Sequence, residues 1–356
     1  MENVYSQVKM FHFHEKLKAL TEGRVTPPIH VRLKPINACN HRCFYCCYRS
    51  DSLYLGELMN EKDMIPHEKM REIVKDMADL GVRAVTFTGG GEPLIYPYFA
   101  ETASLMLDKG IKIASLTNGS ALSGEVAEVL AEGASWVRVS IDAADGETLA
   151  KTRNISPGEF DRIVHNIEEF ADNKHADCEL GINFIVTKLN CDSVYNFIKF
   201  MKEKGVNHVK VSECVVSTKG VDNNEYHKEH INKVLAQINR AEDELSNDTF
   251  KVVNKFHDFD DKYEKQYATC PFITFLNVIA ADLTVYTCQD KAYTETGILG
   301  SLKDKPLAEL WTSNEYKQAL RTVNPSKICN HHCVQHGKNL AILDYMSSDK
   351  RHLEFV

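Results

Sequence analysis

The chain has 356 residues, 43% of them hydrophobic and 26% charged, with a formal net charge of -8. That length can bury one large core and a smaller second one; the acidic balance, without a long Lys or Arg run, argues against nucleic acid or an anionic membrane surface as the main partner. No apolar stretch approaches the roughly 20 residues needed to span a bilayer, and MENVYSQVKMFHFHEK has no apolar signal core, so the expected compartment is the cytoplasm.

In chain order, an N-terminal extension over 1–27 leads into HVRLKPI, the first of six short β-rich runs. AVTFTGG, IKIASLTNG, WVRVSIDA, CELGINFIVT and HVKVSEC follow, separated by amphipathic stretches such as EKMREIVKDMADLG and YFAETASLMLDKG that end at glycines suited to helix C-caps. Strands alternating with helices predict a parallel sheet. Six such units between 28 and 220 predict an α/β fold, a partial (β/α)6 TIM-like barrel open on one side. A polar, helical linker is expected over 221–265. The two apolar runs of CPFITFLNVIAADLTVYTCQD flank Ala281 and Asp282 as a β-hairpin. With the turn and helix of GILGSLKDKPLAELW, they predict a small C-terminal α+β domain over 266–345, then a tail over 346–356.

Eleven cysteines in a reducing compartment point to metal or redox chemistry rather than disulfides. Seven fall into two groups: Cys39, Cys43 and Cys46 in CNHRCFYC, and Cys270, Cys288, Cys329 and Cys333 near the C-terminus. Cys47, Cys178, Cys191 and Cys214 remain, and a free cysteine is often a small buried apolar residue. A [4Fe-4S] cluster normally takes four thiolates. A loop offering three borrows a distant ligand or leaves one iron open, and a zinc knuckle or redox CxxC is the alternative.

Other motifs fall at the ends of the predicted strands, where such folds place their chemistry. TGGGEP puts Gly89, Gly90 and Gly91 where the backbone can approach a ligand or turn tightly, followed by Glu92. LTNGS offers Asn118 and Gly119 to a ligand or a turn. In VRVSIDA, two-residue alternation sets Arg138, Ser140 and Asp142 on one side of a core strand. Arg153 follows in KTRN.

The C-x3-C-x2-C loop with Tyr45 before its last cysteine, followed one strand later by TGGGEP, resembles the radical SAM superfamily. The resemblance implies that S-adenosylmethionine (SAM) occupies the open iron of a [4Fe-4S] cluster on Cys39, Cys43 and Cys46. Gly89 to Glu92 would grip its amino group, Ser140 and Asp142 its ribose or carboxylate, and Arg153 its carboxylate as a bidentate donor. It implies reductive cleavage to a 5′-deoxyadenosyl radical that takes hydrogen from an unactivated C–H bond, and a reducing partner such as flavodoxin or ferredoxin.

Behind such a core, Cys270, Cys288, Cys329 and Cys333 resemble the Twitch and SPASM extensions, which carry auxiliary iron–sulfur clusters. Cysteine can supply one auxiliary [4Fe-4S] site here, which suits Twitch. Cys329 and Cys333 stand four apart rather than as CxxC, which leaves the fourth ligand open among His331, His332 and His336. The implied reaction is dehydrogenation of a small polar substrate, the second electron going to the auxiliary cluster, or epimerisation with Cys214 as hydrogen donor. The short N-terminal segment is too small for a leader-binding domain. A sugar, sugar nucleotide or aminocyclitol of surface-carbohydrate biosynthesis is therefore expected over a ribosomal peptide. A zinc-binding module and a radical methyltransferase are the rival readings.

Overall fold

The six β-rich runs form six adjacent parallel strands: β1 (His30–Leu33), β2 (Ala84–Phe87), β3 (Lys112–Thr117), β4 (Ala134–Ser140), β5 (Glu179–Val186) and β6 (His208–Glu213). The structure is a computed structural model and describes residues 5–53, 55–256, 263–349 and 351. Alternation decides which side of each strand is apolar. Val31, Leu33, Val85, Phe87, Val137, Val139, Ile182 and Val211 are fully buried against the helices. The helix His67–Asp79 meets them with Met70, Ile73, Val74 and Met77, an i, i+3, i+4, i+7 stripe. Each fully buried side chain of this size contributes about 1.5–3 kcal/mol. Gly81 and Gly110, which close the helices before β2 and β3, adopt φ of +81° and +73°, the left-handed turn that favours glycine.

The opposite strand face is polar: Arg32, Arg138, Ser140, Asn183 and Lys210 are half-buried there. This face lines the concave interior of the open barrel.

The sheet continues beyond the six expected strands. After the helices Gly220–His227 and Ile231–Leu245, the stretch expected as a helical linker adds β7 (Lys251–Lys255), parallel to β6. Residues 257–262 of that linker lie outside the described residues. The expected hairpin is present as β8 (Leu276–Ile279) and β9 (Thr284–Tyr286), with β10 (Ile298–Ser301) antiparallel to β9. β8 also pairs in parallel with β1, from His30 opposite Leu276 to Leu33 opposite Ile279. One ten-stranded sheet results, in the order β10-β9-β8-β1-β2-β3-β4-β5-β6-β7, with β10 and β7 at its edges. The C-terminal part is thus hydrogen-bonded to the first strand of the barrel.

The N-terminal segment packs against the same region. Met10 and Leu17 join Phe272, Phe275, Val278 and Ile342 in a second apolar cluster. The Tyr5 hydroxyl lies 2.8 Å from His208 Nε2 at the start of β6. Of the expected tail, the helix His336–Ser347 takes the first residues, and 350 and 352–356 lie outside the described residues. Among the described residues, no helix is long and apolar enough to cross a membrane.

Candidate active site

The carboxyl ends of the strands surround a cavity of about 410 Å³. Cys39, Cys43 and Cys46 form one wall, Gly89, Gly90 and Gly91 another, and Ser140, Asn183, Glu213 and Arg153 much of the rest. The cysteine loop is held mainly by its backbone, with His41 N also donating to Cys39 Sγ at 3.5 Å. Arg42 N donates to Arg153 O at 2.8 Å, Phe44 N to Thr152 O at 3.3 Å, and Cys46 N to Cys43 O at 3.1 Å. Below it, Lys34 Nζ donates to Gly89 O at 2.6 Å and Tyr48 Oη at 2.8 Å, tying β1 to the triple glycine. A methyl on Gly91 would overlap the carbonyl of Ala38, so a side chain there would push the cysteine loop away.

Burial raises the thiol pKa of Cys39 and of Cys43, with Arg153 opposing it at Cys43. Metal binding takes thiolates and so releases these protons. Three thiols on one cavity wall, opposite backbone that only glycine allows so close, fit a cluster with an open coordination site.

Arg153 is the last residue of the helix Gly146–Arg153, whose start is capped by Asp145 accepting from Thr148 N at 2.8 Å. Its guanidinium donates through Nη2 and Nε to Asp142 Oδ2 at 2.6 and 3.1 Å. Tyr45 Oη donates to the same oxygen, and Ile185 N donates to Asp142 Oδ1 at 3.0 Å. Burial works against the Arg153 charge, but Asp142 and Tyr45 raise its pKa above the usual value. Asp142 is fully buried behind Arg153, and of the two only Arg153 lines the cavity. Asp142 therefore orients the arginine.

Glu92 and Asn118 are also turned from the cavity wall. Glu92 accepts from Thr117 Oγ1 at 2.6 Å, Asn118 N at 2.7 Å and Leu94 N at 3.1 Å, linking the triple glycine to the end of β3. Burial pushes its pKa up to about 7. Asn118 Nδ2 donates to Asn40 Oδ1 at 2.8 Å. Cys214 is fully buried with its thiol raised to about 12 by burial, while its neighbours Glu213 and Val215 face the cavity. These are the surroundings of a packed core thiol.

The second cysteine group converges as well. Cys270, Cys288, Cys329 and Cys333 line one small cavity with Lys265, Tyr267, His331 and Asn339. Asn339 Nδ2 donates to Cys270 Sγ at 3.3 Å, and its Oδ1 accepts from Phe272 N at 3.0 Å. Burial raises all four thiols, Cys270 and Cys333 to about 12. Among the described residues, no three Cys, His, Asp or Glu side chains converge on a single ion; these four instead ring the cavity. Four thiols around one pocket fit a fully ligated cluster. Of the candidate histidines, His331 lines this cavity and the first one. His332 Nε2 lies 3.7 Å from Glu213 Oε1, and His336 stacks on Tyr267.

Cys47, Glu213, Asp290 and His332 also line the first cavity. Nothing local in the sequence singled out Glu213 and Asp290, which come from separate parts of the sheet, and the cysteine pattern offered His332 only to the second group. Cys47 had a signal, its adjacency to Cys46.

The radical SAM superfamily profile matches residues 33–201, and that of an iron–sulfur cluster-binding (SPASM) domain matches 270–334. An AdoMet-dependent heme synthase of Methanosarcina barkeri is 30% identical over 55% of this chain and 54% of its own length. A S-adenosylmethionine-dependent nucleotide dehydratase of Flammeovirga pacifica is 26% identical over 60% of this chain and 75% of its own. The chain spans about half the length of the first of these. Streptococcus suis SuiB, solved bound to the precursor peptide SuiA, superimposes with a TM-score of 0.61 at 16% identity, over 94% of this chain and 78% of SuiB. That likeness concerns the fold.

Proposed function

We propose that this chain, a radical SAM enzyme with a C-terminal SPASM domain, oxidises a small polar substrate by two electrons. The substrate class we favour is a carbohydrate, sugar nucleotide or aminocyclitol. Cys39, Cys43 and Cys46 would hold the SAM-binding [4Fe-4S] cluster, and Cys270, Cys288, Cys329 and Cys333 the auxiliary one. When bound, these groups supply a 5′-deoxyadenosyl radical for hydrogen abstraction and an acceptor for the second electron.

The chain's own residues would bind, orient and shield. The Gly89–Gly91 backbone and Arg153 take the methionine end of SAM, with Arg153 held at its angle by Asp142 and Tyr45. Ser140 and Asn183 face the substrate from adjacent strands. Glu213 Oε1, in the cavity wall, is placed to take the proton released when a C–OH or C–NH group is oxidised.

The observation that carries the reading is His331, which lies in the wall of both cysteine-lined cavities. Substrate and auxiliary cluster are then separated by about one side chain, a short path for an electron. The burial of Cys214 favours oxidation over epimerisation, since a hydrogen donor must face the substrate.

The test is turnover of the reduced, reconstituted enzyme with SAM and a panel of sugar nucleotides and aminocyclitols. The expected products are 5′-deoxyadenosine and a compound two hydrogens lighter. A product of the substrate's mass in H2O that gains one deuterium when the reaction is run in D2O would mean epimerisation instead, and S-adenosylhomocysteine as the SAM product would overturn the reaction type.

A further inference from the structure

The first cavity is small for what the reaction asks of it. At about 410 Å³ it stands near the lower end of single-ligand cavities, about 300–1,000 Å³, yet the open iron, SAM and the reacting carbon all belong there. The rest of a substrate larger than one ring must lie beyond it.

Such space adjoins it. A second cavity of about 330 Å³ shares Leu53, Leu55, Thr218 and His331 with the first. Among the described residues, none of Gly89–Gly91, Arg153 or the cysteines lines it, so it avoids the groups assigned to SAM and to the clusters. Its walls come from the loop after the first cysteine group, the loop after β6 and the C-terminal part, and hydrogen bonds tie these together. Leu58 N donates to Tyr293 O at 2.9 Å, and Ser52 Oγ to Val216 O at 2.9 Å. Asn223, fully buried, accepts from Val216 N at 2.7 Å and fixes the start of the loop after β6. The cavity is thus formed by the chain itself, as ligand sites usually are.

The remaining wall is polar, with mixed charge. Lys291 stands there with Glu57 and Glu295, and Thr294, Thr296 and Asn330 complete it. Thr294 Oγ1 donates to Lys291 O at 2.9 Å. Among the described residues, the side chains of Glu57, Thr218, Lys291, Glu295, Thr296 and Asn330 make no hydrogen bond or ion pair within the chain. They offer donors from Lys291 and Asn330, acceptors from the carboxylates, and both from the threonine hydroxyls, beside the apolar surface of Leu53 and Leu55. A sugar ring has the matching surface, with hydroxyls that donate and accept and apolar C–H faces. A diphosphate would instead sit against two carboxylates with one ammonium to offset them, a like-charge contact that selects against it.

We propose that this second cavity is a distal subsite for an uncharged sugar ring, glycosidically joined to the ring oxidised in the first cavity. The inference rests on the reading of the first cavity as the reaction site. Within the substrate class named above it favours a disaccharide or a glycosylated aminocyclitol over a sugar nucleotide, whose diphosphate would fall at the second cavity.

The test is saturation-transfer NMR on the reconstituted holoenzyme, already saturated with SAM. It is titrated with glucose, galactose and N-acetylglucosamine, with cellobiose, lactose and N,N′-diacetylchitobiose, and with the UDP forms of the three single sugars. At least one disaccharide should bind about tenfold or more tighter than its component monosaccharides, as one or two further hydrogen bonds would give, and no UDP-sugar should bind tighter than that disaccharide. Thr296→Trp fills the second cavity from a residue that does not line the first, and should remove the disaccharide's advantage. If that variant fails to fold, Glu295→Ala, at an exposed position, decides by the same loss. No disaccharide binding tighter than its monosaccharides in wild type, an advantage that persists in the deciding variant, or a UDP-sugar that binds tighter than every disaccharide overturns the subsite. Formation of 5′-deoxyadenosine and of a product two hydrogens lighter, assayed separately, tests the underlying reading. Disaccharide preference without either product would leave the subsite standing and overturn the reaction site; oxidation of a single ring with no disaccharide preference would do the reverse.

Discussion

Asp142 accepts from Arg153, Tyr45 and the backbone of Ile185 with no exposure to solvent. Asp142→Asn keeps the volume but leaves Arg153 a buried charge without its counter-ion, which costs about 3 kcal/mol or more. We expect a lower unfolding midpoint together with at least about tenfold weaker SAM binding; unchanged SAM affinity would show that Arg153 needs no such support. Glu92 makes a different prediction, because burial raises its pKa from the ordinary 4.5 to about 7. The folded state keeps a proton that the unfolded chain gives up, so this group's contribution is fully favourable below pH 4.5. It declines as pH rises toward 7 and is constant above. Glu92→Gln cannot titrate, and its NH2 group would face the N–H donors of Asn118 and Leu94. The stability advantage of wild type over this variant should therefore shrink as pH rises from about 5 to 7, read by denaturant unfolding at each pH. A gap that does not move with pH would refute the assignment.

At the scale of elements, the helix His336–Ser347 supports the second cysteine site through Asn339, which donates to Cys270 Sγ and accepts from Phe272 N. Hydrogen bonds to cluster sulfurs raise a cluster's reduction potential. Asn339→Leu should hence lower the potential of the auxiliary cluster, with the potential of the SAM-binding cluster unmoved, as followed by EPR redox titration. Equal potentials in variant and wild type would mean that this contact does not tune the cluster. The loop after β2 makes its own prediction: Gly91→Ala forces a methyl into the Ala38 carbonyl. Displacement of the cysteine loop should reduce iron incorporation at the first site and leave the second filled.

For the whole molecule, the parallel core and the hairpin were legible because alternation and cysteine spacing are local signals. Three things were not. β7 is short and half-polar, and it reads as linker until β6 is there to pair with it. The pairing of β8 with β1 joins residues some 245 positions apart in sequence, 30 against 276, and nothing near either strand announces it. Side-chain partners at strand ends were the third: Glu92, Asn118 and Asp142 bond to Thr117, Asn40 and Arg153, partners that no local pattern names. The fusion of both parts into one sheet has a consequence for loss of either cluster. With β8 bonded to β1 and Met10 and Leu17 packed on Phe272 and Phe275, the frame does not depend on the metal at one site to hold the other. The Cys39/Cys43/Cys46→Ala variant should then fold and keep its second cluster, with iron falling from about eight to about four per chain and 5′-deoxyadenosine abolished. Cys288/Cys333→Ala should also retain about four irons and still release 5′-deoxyadenosine, but without the oxidised product, because the second electron has no acceptor. About four irons in wild type falling to none in the first variant would instead mean a single cluster in the chain, and the pairing of hydrogen abstraction with oxidation across His331 would have no physical basis.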